Sequence, residues 1–221
     1  MDGQREYPFR AVIFDMDGVL VDSEMAYAGV LLEYGAHLGL PLTFDDVKGG
    51  VGKSFQEFCR LILSWNRQAG LGDATPEEAA RRYMAWEEGH ELDFAALLNP
   101  GVAETLAGLR GRGVRVALAS SSPRATIDEA LSACGIAGFF ELVVSGEEFR
   151  ESKPNPEIYL HTVERLGFRA WECCCVEDSV PGIAAGKAAG LYVVAKREER
   201  FGFSQDAADL IIDELPELLA L

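Results

Sequence analysis

Four acidic residues of this chain occur as two pairs, and each pair ends a short apolar stretch. Asp15 and Asp17 follow "AVIF", and Glu177 and Asp178 follow "CCCV". Carboxylates held close together repel each other unless a cation or a proton compensates their charge. Their hard oxygen atoms suit Mg²⁺, which typically shares its ligand shell with a substrate phosphate. The two pairs therefore indicate Mg²⁺-assisted phosphate chemistry, if the fold brings them together.

Other polar groups also follow apolar stretches. Serines 120–122 end "VRVALASSS", Ser145 and Gly146 end "ELVVSG", and Lys153 precedes "PNP". An aspartate near Mg²⁺ and a lysine is an ionised oxygen nucleophile, and a second aspartate can serve as general acid and then base. Serine hydroxyls and the free N–H groups of the helix that begins at Pro123 can hold phosphoryl oxygens. Together these residues favour phosphoryl transfer through an aspartyl-phosphate.

Simpler interpretations apply to each residue alone. A carboxylate at the end of a strand is often only a helix cap or a turn former, and a single lysine is usually a solvated charge. An EF-hand loop at "DMDG" is excluded, because the glycine falls at loop position 4 and Ala26 occupies the place of the bidentate glutamate. A Walker-type loop at "KGGVGKS" is excluded, because no strand precedes it.

The elements that must position these residues are strands alternating with helices. This alternation predicts a Rossmann-like α/β core with a parallel sheet. We expect a helix with Ser122 as N-cap, Pro123 at its first helical position and Gly135 just after its end. Ligands bind such sheets at the carboxyl ends of the strands, where the polar residues fall. The predicted strands are 11–15, 114–122, 141–146, 173–178, 191–196 and, at an edge, 208–213.

Residues 22–92 interrupt this alternation. Three helical patterns lie there without a strand signal of comparable strength, and the third begins with Thr75 as N-cap before Pro76. We therefore expect a small α-helical cap domain, 22–92, inserted after the first strand of an α/β core domain, 1–21 and 93–221.

Composition limits the function classes. The formal net charge of −16 argues against nonspecific binding to nucleic acid or to an anionic membrane surface. The N-terminus lacks an apolar signal core and no segment has the length of a membrane span, so we expect a cytoplasmic protein. We also expect a monomer. The five cysteines are odd in number and lack CxxC spacing, which predicts reduced core thiols.

Four motifs, in order along the chain, resemble those of the haloacid dehalogenase superfamily: "DMDGVL", "ALASSS", "SKPNPEIY" and "VEDSVPGIAAGKAAG". The helical insertion resembles the family's small α-helical cap. The resemblance implies that Asp15 is the nucleophile, Asp17 the general acid and base, and Lys153 the cation between Asp15 and the phosphate. It also implies substrate binding by Ser120 and Ser121, and Mg²⁺ binding by the Asp15 carboxylate, the Asp17 backbone carbonyl and Asp178, with Glu177 acting from an outer position or through water.

The second aspartate separates reaction types within that superfamily. An alkoxide leaving group needs a proton and a halide does not, so Asp17 favours phosphate esters over haloacids. The chain most resembles the β-phosphoglucomutase-like subgroup, whose mutases carry a histidine where this chain has Tyr27. His37, His90 and His161 do not fill that role by spacing and are expected to be ordinary surface or packing residues.

We therefore expect a phosphatase that hydrolyses a small phosphorylated metabolite, such as a sugar or polyol phosphate, with Mg²⁺ as cofactor. A phosphosugar mutase is the alternative, and a non-catalytic binding or regulatory protein is the third hypothesis. Lys53, in the Gly-rich stretch "KGGVGKSFQEF", and Arg124, after the serines, are candidates for binding the distal part of the substrate. A solvated loop lysine remains the other interpretation of Lys53.

Overall fold

A computed structural model describes residues 7–50, 55–90 and 92–221, with Phe55 described by its backbone only. The chain divides into two compact units, one formed by Met1–Asp22 with Phe94–Leu221 and the other by Ser23–Asp93. Each boundary lies one residue after the boundary expected from the sequence.

The larger unit contains a six-stranded sheet in which every pair of neighbouring strands is parallel. The strand order is β3-β2-β1-β4-β5-β6. The predicted α/β fold is confirmed, and β6 is an edge strand as expected. The strands are β1 Ala11–Phe14, β2 Arg115–Ser120, β3 Leu142–Ser145, β4 Cys173–Glu177, β5 Tyr192–Lys196 and β6 Leu210–Ile212.

The helices of the smaller unit come first along the chain, and those of the larger unit alternate with its strands. The smaller unit has no strand among its described residues, as the sequence pattern predicted. The short helix α2 and the helix α5 were not predicted. In the described residues the α-helices are α1 Ser23–His37, α2 Phe44–Lys48, α3 Phe55–Gln68, α4 Pro76–Glu87, α5 Val102–Gly111, α6 Arg124–Ala133, α7 Glu157–Leu166 and α8 Val180–Ala188.

The ends of the helices test four of the predictions. Thr75 caps α4 through a capping box with Glu78, and Gly135 follows the C-cap of α6 at a φ of +66°. Both expectations are confirmed. Ser122 as the N-cap of α6 and Pro123 as its first helical residue were wrong, because Pro123 is the N-cap and α6 begins at Arg124. The side chain of Glu147 accepts the Arg124 N–H at 2.8 Å, and the Ser122 hydroxyl is engaged elsewhere.

Each unit has its own apolar core. In the larger unit, the sheet packs against residues of α7 and α8. The smaller unit packs residues of α1, α3 and α4 around the buried rings of Tyr34, Trp65 and Tyr83. All five cysteines are free thiols, four of them buried and Cys134 half-buried. Within the described parts of the chain, every helix is too short or too polar to cross a membrane.

Candidate active site

The strand order gathers the predicted residues at one edge of the sheet. β1 lies between β2 and β4, and both neighbours run parallel to it. Asp15 follows β1, Ser120 ends β2, and Glu177 ends β4 just before Asp178. The Asp15 N–H donates to the Val176 carbonyl at 3.0 Å, which fixes the start of the loop after β1. The carboxyl ends of three adjacent strands therefore meet at one place.

Three carboxylates converge there. Asp15, Glu177 and Asp178 are all buried, and each offers an oxygen atom within 4.8 Å of those of the other two. Burial raises the pKa of Asp15 to about 7; Lys153 opposes this rise, and the charges of Glu177 and Asp17 add to it. An added cation would favour the ionised form of this carboxyl, since opposite charge stabilises a carboxylate.

Lys153 is the cation of this cluster. Its ammonium group, Nζ, lies 2.7 Å from Asp15 Oδ1, 2.6 Å from Glu177 Oε1 and 3.0 Å from the Ala119 carbonyl oxygen. Burial disfavours the charged form, but the two carboxylates more than offset it and raise the pKa of Lys153 above its ordinary value. The lysine therefore stays protonated and holds two of the three carboxylates.

Two glycines make room for these carboxylates. A Cβ atom on Gly18 would lie 2.0 Å from Asp178 Oδ2, and Gly18 has a φ of +75°, which side chains rarely adopt. A Cβ atom on Gly182 would lie 1.9 Å from Glu177 Oε2. Both distances are far below van der Waals contact, so the site requires glycine at both positions.

The donor set fits Mg²⁺. Hard carboxylate oxygens are its preferred protein ligands, and an all-oxygen cluster suits it better than Zn²⁺, which favours nitrogen and sulfur. The glycine at position 18 leaves the Asp178 carboxylate the space that a side chain would fill. Three carboxylates and one lysine leave two negative charges, which a divalent cation can balance.

Asp17 lies in a different environment from Asp15. The Ser122 hydroxyl donates to Asp17 Oδ2 at 2.7 Å, and the Ser122 carbonyl accepts from the Ser145 hydroxyl at 2.8 Å. The Asp17 carboxylate is not one of the three clustered acids, and Asp17 is half-buried. The two aspartates, which are two residues apart in sequence, are therefore held by different partners, as two different chemical roles require.

The other predicted residues have varied places. Ser120 is buried and its hydroxyl accepts the Ser122 N–H at 3.1 Å, whereas Ser121 is exposed. The Arg124 guanidinium forms an exposed ion pair with Asp128 at 2.9 Å. Lys53 lies outside the described residues.

His37, His161 and Tyr27 lie on helices, and His90 follows the end of α4. His37 and His90 flank the Trp86 ring in the smaller unit, and His161 packs edge-on against Phe149 in the larger one. Tyr27 is half-buried on α1.

Tyr159 is a residue of this site that was not predicted from the sequence. Its hydroxyl donates to Glu177 Oε1 at 2.5 Å, the same oxygen that Lys153 contacts, and its ring centroid lies 5.0 Å from Lys153 Nζ. Burial raises its pKa well above the ordinary value, so the hydroxyl keeps its proton and acts as a donor. The sequence signal that could have indicated Tyr159 is its position six residues after Lys153 in "SKPNPEIY". That spacing puts it on the first turn of α7.

Comparisons with known proteins agree with this geometry. Residues 9–190 match the family model of haloacid dehalogenase-like hydrolases. A phosphoglycolate phosphatase of Pseudomonas putida is 31% identical over 219 residues, covering 95% of this chain and 78% of that protein. Hexitol phosphatase B of Escherichia coli is 30% identical over 217 residues, covering 95% and 94%.

Solved structures agree as well. The crystal structure of a HAD family hydrolase from Deinococcus radiodurans, with bound phosphate and sodium, is 28% identical, has a TM-score of 0.73, and covers 96% of this chain and 94% of that one. In contrast, the chain spans only 17% of a longer relative from Arabidopsis thaliana, protein SUPPRESSOR OF QUENCHING 1, chloroplastic, to which it is 30% identical over 187 residues.

Proposed function

The chain belongs to the haloacid dehalogenase-like hydrolases, and from this premise we propose that it is a Mg²⁺-dependent phosphatase of small phosphate monoesters. The observation that carries the proposal is the buried contact of Lys153 with Asp15, beside Glu177 and Asp178. The names of two relatives, a phosphoglycolate phosphatase and a hexitol phosphatase, support a sugar or polyol phosphate as substrate. A cytoplasmic monomer remains part of the proposal.

Asp15 is the nucleophile of the proposed reaction. Its carboxylate oxygen attacks phosphorus, a new O–P bond forms, and the bond from phosphorus to the substrate oxygen breaks. Asp17 protonates the leaving oxygen, so the product leaves as an alcohol. Water then attacks the aspartyl-phosphate and gives its proton to Asp17, which releases inorganic phosphate and restores both aspartates. The Ser122 hydroxyl keeps the Asp17 carboxylate in place through both steps.

Lys153 and the serine loop hold the phosphoryl group. The ammonium group of Lys153 is 2.7 Å from Asp15 and can neutralise charge on the incoming phosphoryl oxygens. Ser120 ends β2, and α6 begins four residues later at Arg124, whose own N–H is taken by Glu147. A helix N-terminus favours an anion, so the Ser120 hydroxyl and the later N–H groups in the first turn of α6 suit phosphoryl oxygens.

The Asp15 and Asp178 carboxylates and the Asp17 backbone carbonyl would hold Mg²⁺. When bound, Mg²⁺ supplies positive charge that keeps Asp15 ionised and neutralises phosphoryl oxygens. Glu177 Oε1 is engaged by Lys153 and Tyr159, which supports an outer role for Glu177. The helical unit, Ser23–Asp93, would serve as the cap that excludes bulk water.

A phosphosugar mutase is the alternative within the same chemistry. It would have to keep water away from the aspartyl-phosphate and pass the phosphoryl group to a second hydroxyl. Tyr27 stands where the resembling mutases carry a histidine, which favours the phosphatase.

The test is a phosphate-release screen over sugar and polyol phosphates with Mg²⁺, with Asp15→Asn as the matched inactive control. β-Glucose 1-phosphate, with a trace of the 1,6-bisphosphate, is followed for glucose 6-phosphate and free phosphate together. We expect free phosphate as the main product and none from Asp15→Asn. Rapid isomerisation with little phosphate would make the mutase correct, and unchanged turnover in Asp15→Asn would contradict the covalent mechanism.

A further inference from the structure

Gln205 is a buried amide outside the four sequence motifs, in the segment between β5 and β6. Its side-chain nitrogen donates to the Asp178 carbonyl oxygen at 2.6 Å and to the Lys196 carbonyl oxygen at 2.8 Å. Its side-chain oxygen accepts the Glu198 N–H at 3.0 Å. The amide therefore uses both its donors and an acceptor on backbone groups, which also fixes which end is nitrogen.

These bonds tie together the ends of two neighbouring strands. Asp178 directly follows β4, and Lys196 is the last residue of β5. The sheet ladder between these strands pairs Glu177 with Ala195, so it stops one residue before the Asp178 carbonyl. The Gln205 side chain links the two strands beyond that point. There the backbone of Asp178 has left the sheet, and its position determines where the Asp178 carboxylate lies in the acidic cluster.

Gln205 is itself held rigidly by its segment. The buried Glu198 carboxylate accepts from the Arg200 backbone N–H at 2.7 Å and from Arg200 Nε at 2.9 Å. The Arg200 guanidinium also reaches both oxygens of Asp22, at 2.7 and 2.9 Å. This network anchors the segment 197–205 to Asp22, which follows the first motif. A side chain held by such a network can keep the group that it contacts in a fixed position.

We propose that Gln205 is a positioning residue for the metal site, because it fixes the backbone of Asp178 and thereby aims its carboxylate at Mg²⁺. The inference rests on the proposed function. Groups behind a metal ligand commonly change metal affinity by about 10–100-fold when they are removed. A glutamine with a merely structural role would lower the stability of the fold and leave Mg²⁺ affinity unchanged.

The experiment measures Mg²⁺ binding by titration calorimetry on the full chain without substrate. Gln205→Met keeps the approximate volume and removes all three hydrogen bonds, whereas Gln205→Glu keeps the shape and the acceptor but turns an oxygen towards two carbonyls. Thr162→Val is the matched control, because it removes a buried 2.7 Å bond from Thr162 Oγ1 to the Ile158 carbonyl in the same unit. Urea unfolding in EDTA confirms that each variant is folded and measures its loss of stability.

We expect the Kd for Mg²⁺ to rise about 10-fold or more in both Gln205 variants, and to stay at the wild-type value in Thr162→Val. Phosphate release by the Gln205 variants should recover as Mg²⁺ is raised, since only occupancy of the site is impaired. Folded Gln205 variants that bind Mg²⁺ as tightly as wild type would overturn this inference alone. A wild-type chain that binds no Mg²⁺ would overturn the proposed function as well.

Discussion

Within the described residues, Lys153 is the only lysine in contact with the acidic cluster. Replacing it with methionine therefore measures how much its charge contributes to the free energy of unfolding. The variant keeps an unbranched apolar stem and loses the ammonium group. Two buried carboxylates, Asp15 and Glu177, then lose the cation that lies 2.6–2.7 Å from them. The Ala119 carbonyl also loses its 3.0 Å donor.

The expected cost follows from that burial. Removing one partner of a buried ion pair costs about 3–5 kcal/mol, because the remaining charge stays buried without compensation. A control of the same chemical type is Lys187→Met, whose ion pair with Asp209 is 2.6 Å long but has a lysine side chain that is 41% exposed. Exposed pairs contribute at most about 1 kcal/mol, because water screens them.

The cost should depend on pH with a definite sign. Lys153 lowers the pKa of Asp15, which is about 7 even in its presence, so the pKa rises further in the variant. A carboxyl with a raised folded pKa favours the folded state at low pH, and this contribution is lost as pH rises through that pKa. The difference between Lys153→Met and wild type should therefore be largest at alkaline pH and shrink as the solution is acidified.

Urea unfolding in EDTA, followed by circular dichroism at several pH values, measures these differences without bound metal. We expect Lys153→Met to lose several times more free energy of unfolding than Lys187→Met at alkaline pH. Equal losses in the two variants, or a loss for Lys153→Met that grows on acidification, would refute the electrostatic account of the cluster.

Three further predictions concern the same site. EDTA should stop phosphate release, and added Mg²⁺ should restore it. Asp178→Ala should shift the Mg²⁺ dependence of the rate to much higher concentration. Phosphate release that is unchanged in EDTA would contradict this prediction. Ser122→Ala, which removes the 2.7 Å bond to Asp17, should lower kcat about 10- to 100-fold with little change in KM, because a hydrogen bond to a charged group is worth about 1.5–3 kcal/mol. Steady-state kinetics on the best substrate would contradict this if KM alone changed. Gly18→Ala should abolish Mg²⁺ binding in calorimetry, since the added Cβ would lie 2.0 Å from Asp178 Oδ2. Gly135→Ala is the control, because Gly135 has a similar φ of +66° with open space around it; this variant should bind Mg²⁺ normally.

The fold and much of the site could be predicted because the informative signals are local. Short apolar runs between helical patterns define the strands, and a parallel sheet puts all their carboxyl ends on one edge. Asp15, Ser120 and Glu177 could therefore be placed together although more than 100 residues separate the first from the second. Lys153 lies several residues beyond the end of β3, so the strand pattern does not place its side chain. Its contact with Asp15 was implied only by the family resemblance.

The contacts that support these groups could not be predicted, because they depend on packing between distant segments. Ser122 has the residue type of a helix cap, and its hydroxyl instead reaches Asp17, 105 residues earlier in the chain. Gln205 has no pattern around it that indicates a role, and its bond to the Asp178 carbonyl exists only once β4 and β5 are adjacent. The need for glycine at position 182 likewise appears only with the Glu177 side chain in place.

The charge of the site explains why a chain with a net charge of −16 can act on an anionic substrate. The clustered carboxylates and Lys153 leave an excess of negative charge that repels a phosphate group. A divalent cation at Asp15 and Asp178 would remove that excess, and Lys153 would then be free to attract phosphoryl oxygens as well as to hold Asp15. Burial makes each of these charges more effective than it would be in water. In the proposed function, the same acidity that excludes nonspecific anions would therefore make binding of the phosphate ester conditional on the metal.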